Sequence, residues 1–175
     1  MSDASRHPIP AVRLEIASRP ELLASVRSMV VSFGERAGLD DIASGHLALA
    51  VDEALANVIR HGYRSRADGR IWMTLSALDH PEPRIRIEIE DEGDQIDPEE
   101  IRPRALEDVR PGGLGVHIIR EVTDHCEFSR RPGTGMSLVM EKNIPAPSND
   151  RIPSIIPPSI PPSSSPSSDP HQDES

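Results

Sequence analysis

Apolar residues recur with two periods along the chain, and each period predicts an element. Val12, Leu14 and Ile16 alternate with Arg13 and Glu15, the two-residue period of a half-buried strand. Ser18, Arg19 and Pro20 follow. A serine cap with proline near the first helical position reads as a helix start. This helix would run through LLASVRSMVVSFGERAG and stop at Gly38. Asp40 or Asp41 can cap a second helix. On it Leu47, Val51, Leu55, Val58 and Ile59 fall at helical spacing, and it ends near His61-Gly62. Residues 70–78 and 84–90 read as strands joined by Asp79-His80-Pro81-Glu82-Pro83. In the second, Ile85, Ile87 and Ile89 share one face, and Arg84, Arg86, Glu88 and Glu90 the other. GGLGVHIIREVTDH reads as a glycine-led helix. Residues 126–131 and 134–142 read as a hairpin around Pro132-Gly133-Thr134-Gly135. Together these predict an α+β fold, a two-layer α/β sandwich with a mixed, mostly antiparallel sheet.

Composition sets the limits of that fold. The chain has 175 residues, which suits one domain with an appendage. The appendage is visible: nine of the 18 prolines lie between Pro145 and Ser175, among nine serines. Proline lacks the donor for helix or ladder bonds, and few large apolar residues are present there to bury. Residues 144–175 therefore read as a disordered Pro/Ser-rich tail, partly polyproline II, either an inert extension or a docking or phosphorylation segment. Residues 1–9 read as a flexible N-terminus, which leaves 10–143 for the domain. Only 2% of residues are aromatic, so the core must be built from Leu, Ile, Val and Ala.

Nineteen basic residues against 29 acidic give a net charge of −10, which argues against nonspecific binding to nucleic acid or anionic lipid. A single cysteine, Cys126, rules out an internal disulfide framework and suits a reducing cytoplasm. No apolar run has the length of a membrane span, and MSDASRHPIP lacks the apolar stretch of a signal peptide.

Three places carry candidate chemistry. Glu53 and Asn57 in AVDEALANVIRHGY lie one helical turn apart on one face, with His61 a further turn on. The Asn57 carbonyl oxygen suits a hard cation such as Mg²⁺, and Glu53 can accept a proton. The same row also fits an ordinary solvated face. Asp91 has the parity of Ile85, Ile87 and Ile89, so its carboxylate points toward the core if the strand continues. A buried carboxylate needs a partner. That partner is either a ligand amine, with Gly93 permitting close approach, or backbone amides of a strand-end turn. Gly112, Gly113 and Gly115 precede or open a helix, where backbone amides and the helix dipole favour an anion. A flexible connection would use the same glycines. The segment from Asp97 to Pro111 is charged and proline-punctuated, a candidate lid whose Arg102, Arg104 or Arg110 could reach phosphates. Neither a GxxxxGK[ST] loop nor a dinucleotide GxGxxG is present.

In this order, the helical ExxxN, the DxG at a strand end, the variable loop, GGLG opening a helix and GTG before a last strand resemble the GHKL (Bergerat-type) ATP-binding fold. That fold is named for gyrase, Hsp90, histidine kinases and MutL. Within it, the chain is similar to the bacterial anti-sigma factor serine kinases of the RsbW and SpoIIAB type, over roughly residues 10–143. The resemblance implies Glu53 as general base and Asn57 as Mg²⁺ ligand. It implies Asp91 at the adenine amino group, with Gly93 allowing the base to approach. It also implies Gly113, Leu114 and Gly115 at the phosphates of ATP, Arg110 near the terminal phosphate, and Thr134 assisting Asp91. Two departures stand out. Pro111 separates Arg110 from the glycines, and Gln95 stands where DxGxG has its second glycine. Either Gly133-Thr134 or Gly135-Met136 can be aligned with the family's Gly-Thr pair.

The resemblance further implies a serine/threonine kinase acting in trans. Its partners would be an anti-sigma factor antagonist of STAS type, which it phosphorylates, and a sigma factor, which it sequesters. It would act as a homodimer, without direct contact to nucleic acid or membrane. His61 and His117 lie inside elements of the nucleotide fold and are not read as phosphoacceptors. Two alternatives remain open at this point: a nucleotide-binding switch with little kinase turnover, and a partner other than a sigma factor.

Overall fold

The computed structural model describes residues 12–101 and 114–146. Its elements are β1 (Val12–Ala17), α1 (Leu23–Ala37), α2 (Asp41–Asn57), β2 (Arg70–Leu78), β3 (Arg84–Asp91), α3 (Leu114–Val122), β4 (His125–Arg130) and β5 (Met136–Asn143). The strands form one five-stranded sheet in the order β1-β2-β3-β5-β4. All four pairings are antiparallel, so the mixed component expected from the sequence does not occur among the described residues.

The alternation in β3 determines how the layers stack. Ile85, Ile87 and Ile89 are buried, while Arg84, Arg86, Glu88 and Glu90 remain half-buried. The register places Ile89 opposite Met73 and Asp91 opposite Ile71. Ile71, Met73 and Leu75 of β2 and Met140 of β5 complete the inner face, in one cluster with Val30, Leu47, Val51, Leu55 and Ile119 from the helices. Each such side chain taken out of water contributes about 1.5–3 kcal/mol.

The central helix α2 is apolar on most of its circumference because it lies between the sheet and two helical neighbours, α1 and α3. Asp41–Gly62 is a 22-residue helical stretch holding an 18-residue window of mean hydropathy 1.3, a length and composition that the buried core helix of a sandwich shares. Its Leu47, Val51 and Leu55 are fully inside the core.

The helix ends follow local chemistry with one exception. The Asp40 carboxylate accepts from the Ala43 N–H at 2.7 Å, which resolves the choice between Asp40 and Asp41 as cap. Gly38 ends α1 at φ 110°. Ser18, however, caps nothing. A 3₁₀ turn, Pro20–Leu22, precedes α1 and has no side-chain cap. The buried Ser18 hydroxyl instead donates to the Arg66 carbonyl at 2.5 Å and accepts from the Gly69 N–H at 2.9 Å, tying β1 to the loop before β2.

Candidate functional site

Of the residues singled out from the sequence, Asn57, Asp91 and Gly115 come together where α2, the end of β3 and the start of α3 meet. A cavity of about 300 Å³ opens there. Ala54, Val58, Ile89, Ile96, Ile101, Val116, Phe128, Met136 and Leu138 make its walls apolar. Its polar groups are Asn57, His61, Asp91, Asp94 and Glu100.

Asp91 sits at the closed end, 2% exposed. Inward parity with the β3 isoleucines places it there, as the alternation requires. Its Oδ1 accepts from the Gly93 N–H at 2.7 Å, and the Met136 N–H also donates to the carboxylate. Asp91 thus bonds backbone amides, as a strand-end turn would, and it also lines the cavity. Burial pushes its carboxyl above the ordinary range, while those two N–H groups and the Arg131 guanidinium pull the other way.

The loop after Asp91 is held against the end of α2. After Asn57 the helix continues as one wide π turn, Val58–Gly62. The Gly62 carbonyl accepts from Asp94 N–H at 2.9 Å. A Cβ on Gly93 would lie 2.6 Å from the Gly62 carbonyl. Gly93 therefore permits the close approach of this chain's own backbone. Tyr63, next in sequence, is buried, and its hydroxyl joins two strand ends, the start of β2 and the end of β3. It donates to the Arg70 carbonyl at 2.5 Å and accepts from the N–H groups of Arg70 at 3.1 Å and Glu92 at 2.8 Å. Burial raises its phenol above the usual value. The sequence reading missed Tyr63; nothing in its local pattern marks a side chain that closes a loop seven residues long.

The β4–β5 connection forms the other side of the site. Gly135, at φ 80°, donates its N–H to the Gly93 carbonyl at 3.0 Å. A Cβ on it would fall 1.8 Å from the Asp91 carbonyl oxygen. Thr134 is exposed, and its hydroxyl donates to the Gly93 carbonyl at 3.0 Å. Of the two alignable pairs, Gly135-Met136 is the one whose backbone meets Asp91 directly, and Met136 lines the cavity. Gln95, in the place of a loop glycine, donates to the carbonyls of Arg131 at 2.8 Å and Gly135 at 3.1 Å. It fastens the two loops together.

Glu53 and Asn57 of α2 face Gly115 of α3, and Asn57 and Gly115 line the cavity. A Cβ there would lie 2.6 Å from Glu53 Oε2 and 3.2 Å from Asn57 Nδ2. Neither side chain is hydrogen-bonded to another described residue, so both polar ends are available to a ligand. Leu114 is 56% exposed at the first turn of α3. Arg102, Arg104, Arg110, Gly112 and Gly113, with all of the candidate lid Asp97–Pro111 beyond Ile101, lie outside the described residues. So do residues 1–11 and 147–175, which hold nearly all of the expected N-terminal segment and tail.

Among the described residues, no three His, Cys, Asp or Glu side chains cluster to hold a metal. A site with Asn57 as its protein oxygen fits Mg²⁺, which keeps most of its shell from waters and phosphate oxygens. Chemically, the cavity suits a flat apolar ring with one amine donor against Asp91, and anionic groups near Asn57 and the first turn of α3.

Residues 16–142 match the family described as histidine kinase-like ATPase domain. The chain is 30% identical over 141 residues to serine-protein kinase RsbW of Listeria monocytogenes serotype 4a, covering 76% of this chain and 87% of that one. It is 21% identical over 140 residues to serine-protein kinase RsbW of Bacillus subtilis, covering 75% and 86%. A crystal structure of RsbU and RsbW domains of a Mycobacterium tuberculosis protein shares the fold, with TM-score 0.54 at 14% identity. That likeness covers 79% of this chain and 33% of that one.

Proposed function

From a chain that belongs to the histidine kinase-like ATPase family, and within it to the RsbW-type serine-protein kinases, we propose an ATP-dependent kinase that phosphorylates a serine or threonine of an anti-sigma factor antagonist. One observation carries this reading: a buried carboxylate and an amide, Asp91 and Asn57, line one apolar cavity, and a second carboxylate, Glu53, lies beside Gly115 of its wall. Asp91 accepts the adenine amine, and the apolar walls hold the ring faces. Gly115 and the first turn of α3, with Leu114 and Gly113, receive the phosphates, and Arg110 reaches the terminal one. Asn57 would hold Mg²⁺, which would supply neutralisation of the phosphate charge. Glu53 takes the proton from the attacking hydroxyl, so that the oxygen forms its bond to phosphorus as the bond to ADP breaks. Gly115, lacking a Cβ, leaves the Glu53 carboxylate the space it occupies beside α3.

The proposed antagonist is a STAS-type protein, and the proposed second ligand is a sigma factor, held while the antagonist is phosphorylated. The working form in this reading is a cytoplasmic homodimer. The presence of both Glu53 and Asn57 favours a kinase over a switch without turnover.

The test is incubation with labelled ATP, Mg²⁺ and STAS-type proteins of the same genome. Label on an antagonist serine or threonine is expected. Glu53→Gln should abolish it while ADP still binds. Label transfer at the wild-type rate by Glu53→Gln would overturn the assignment.

A further inference from the structure

Asp91 is gripped from behind as well as from the cavity side. Its carbonyl oxygen accepts from Arg131 Nη1 at 2.6 Å. The same guanidinium pairs with Glu90 through Nε at 3.2 Å and lies over the Trp72 ring, 5.3 Å from its centroid. Arg131's own main chain is held too. Its carbonyl accepts from Gln95 at 2.8 Å, and its N–H donates to the Gly135 carbonyl at 3.1 Å. Yet Arg131 is not among the cavity-lining residues. One side chain thus links β2, the last residues of β3 and the β4–β5 turn, all at the residue whose carboxylate closes the cavity.

We propose that Arg131 is a positioning residue for base recognition: by holding the Asp91 main chain, it sets where the carboxylate meets the ligand and hence which purine is accepted. The inference rests on the reading that Asp91 takes the base amine. The planar fork of arginine suits the task because it serves Asp91 and Glu90 while stacking on Trp72. Its charge also favours the ionised carboxylate, the stronger acceptor for an amine. Loosening this grip should not affect ring-face contacts or phosphate contacts. The effect should therefore fall on one hydrogen bond, the one that separates a 6-amino purine from a 6-oxo purine.

The experiment is calorimetric titration of the full chain with ADP and with inosine diphosphate, which carries a carbonyl where adenine has the amine. The wild-type chain should prefer ADP by about 10- to 100-fold. Arg131→Met should lower that preference at least about fivefold through weaker ADP binding, with inosine diphosphate changed by less than about twofold. Arg131→Lys, which keeps the charge without the fork, should fall between. It also carries the test if Arg131→Met does not fold. In an Asp91→Asn background, Arg131→Met should leave the ratio unchanged. Equal losses for both nucleotides, or an unaltered preference in both Arg131 variants, would overturn the inference and leave the Asp91 reading standing. A wild-type chain that binds the two nucleotides alike would overturn the Asp91 reading, and the inference with it.

Discussion

The Glu53 carboxylate lies against the bare Cα of Gly115, so that a Cβ built there would sit 2.6 Å from Oε2. The neighbour that must yield is the far end of a flexible side chain. Gly115→Ala is therefore cheap for the fold and harmful to the chemistry. Alanine also gains about 1 kcal/mol in helix propensity over glycine, which offsets part of the crowding. The melting temperature should stay within a few degrees of the wild type. The phosphorylation rate should fall about 100-fold, because a displaced base loses the geometry of attack. Calorimetry and a single-turnover assay on the same preparation check both halves. A full kinase rate in Gly115→Ala would show that Glu53 needs no fixed position.

Two other glycines meet backbone rather than side chain, and backbone cannot rotate aside. A Cβ on Gly93 would lie 2.6 Å from the Gly62 carbonyl, and one on Gly135 would lie 1.8 Å from the Asp91 carbonyl oxygen. Gly135 also sits at φ 80°, where an L side chain is strained. Each alanine substitution should cost on the order of 3 kcal/mol, lowering the melting temperature by about 10 °C. Gly45 in α2 is the control, since its Cβ would meet nothing within 4 Å. Gly45→Ala should stabilise by about 0.5–1 kcal/mol. Thermal unfolding of the three variants side by side tests the ranking, and a neutral Gly93→Ala would refute the packing argument.

Most of this architecture was legible because it rests on short-range pattern. Alternation from Arg84 to Glu90 identified the inner face of β3, and continuing its parity identified Asp91 as inward-facing. Helical spacing found the buried row of α2 and placed Glu53 and Asn57 on one face. What was not legible depends on partners distant in sequence. Ser18 looks like a cap because its neighbours are Arg19 and Pro20, yet its hydroxyl bonds Arg66 and Gly69, about 50 residues away. The choice between Thr134 and Met136 turned on how the β4–β5 turn meets Asp91. That meeting is fixed by Gly93, Gln95 and Arg131 together. Gln95 reads as a missing glycine until its amide is seen bonding two carbonyls of the facing turn.

Tyr63 illustrates how a residue outside the cavity can support it. Its hydroxyl is the acceptor for the N–H groups of Arg70 and Glu92, so Tyr63→Phe strands two donors at the edge of the core. The ring would still pack against Gly69. The cost should therefore come from unmet hydrogen bonds alone, about 2 kcal/mol. Because Glu92 directly follows Asp91, ADP affinity should also fall severalfold. Urea unfolding and nucleotide titration of Tyr63→Phe check the two effects. A variant as stable as wild type would mean that water replaces the hydroxyl without loss.

Asp91 should impose opposite pH dependences on stability and on binding. Burial raises its folded-state pKa above the unfolded value, so the folded chain holds the proton more tightly. The stability this contributes is present in full below the ordinary carboxylate range, about pH 4, and is lost as pH rises through the raised folded value. Asp91→Asn removes that titration. Its stability relative to wild type should therefore improve between about pH 4 and pH 7. Binding runs the other way, because the ionised carboxylate is the stronger acceptor for an amine. Wild-type affinity for ADP should rise with pH across the same window, while Asp91→Asn binds weakly throughout. Urea unfolding and calorimetric titration of both proteins across that window provide the measurement. Parallel stability profiles would show that the carboxylate is ionised as easily in the folded chain as in the unfolded one. A flat wild-type affinity would remove the charge of Asp91 from nucleotide recognition.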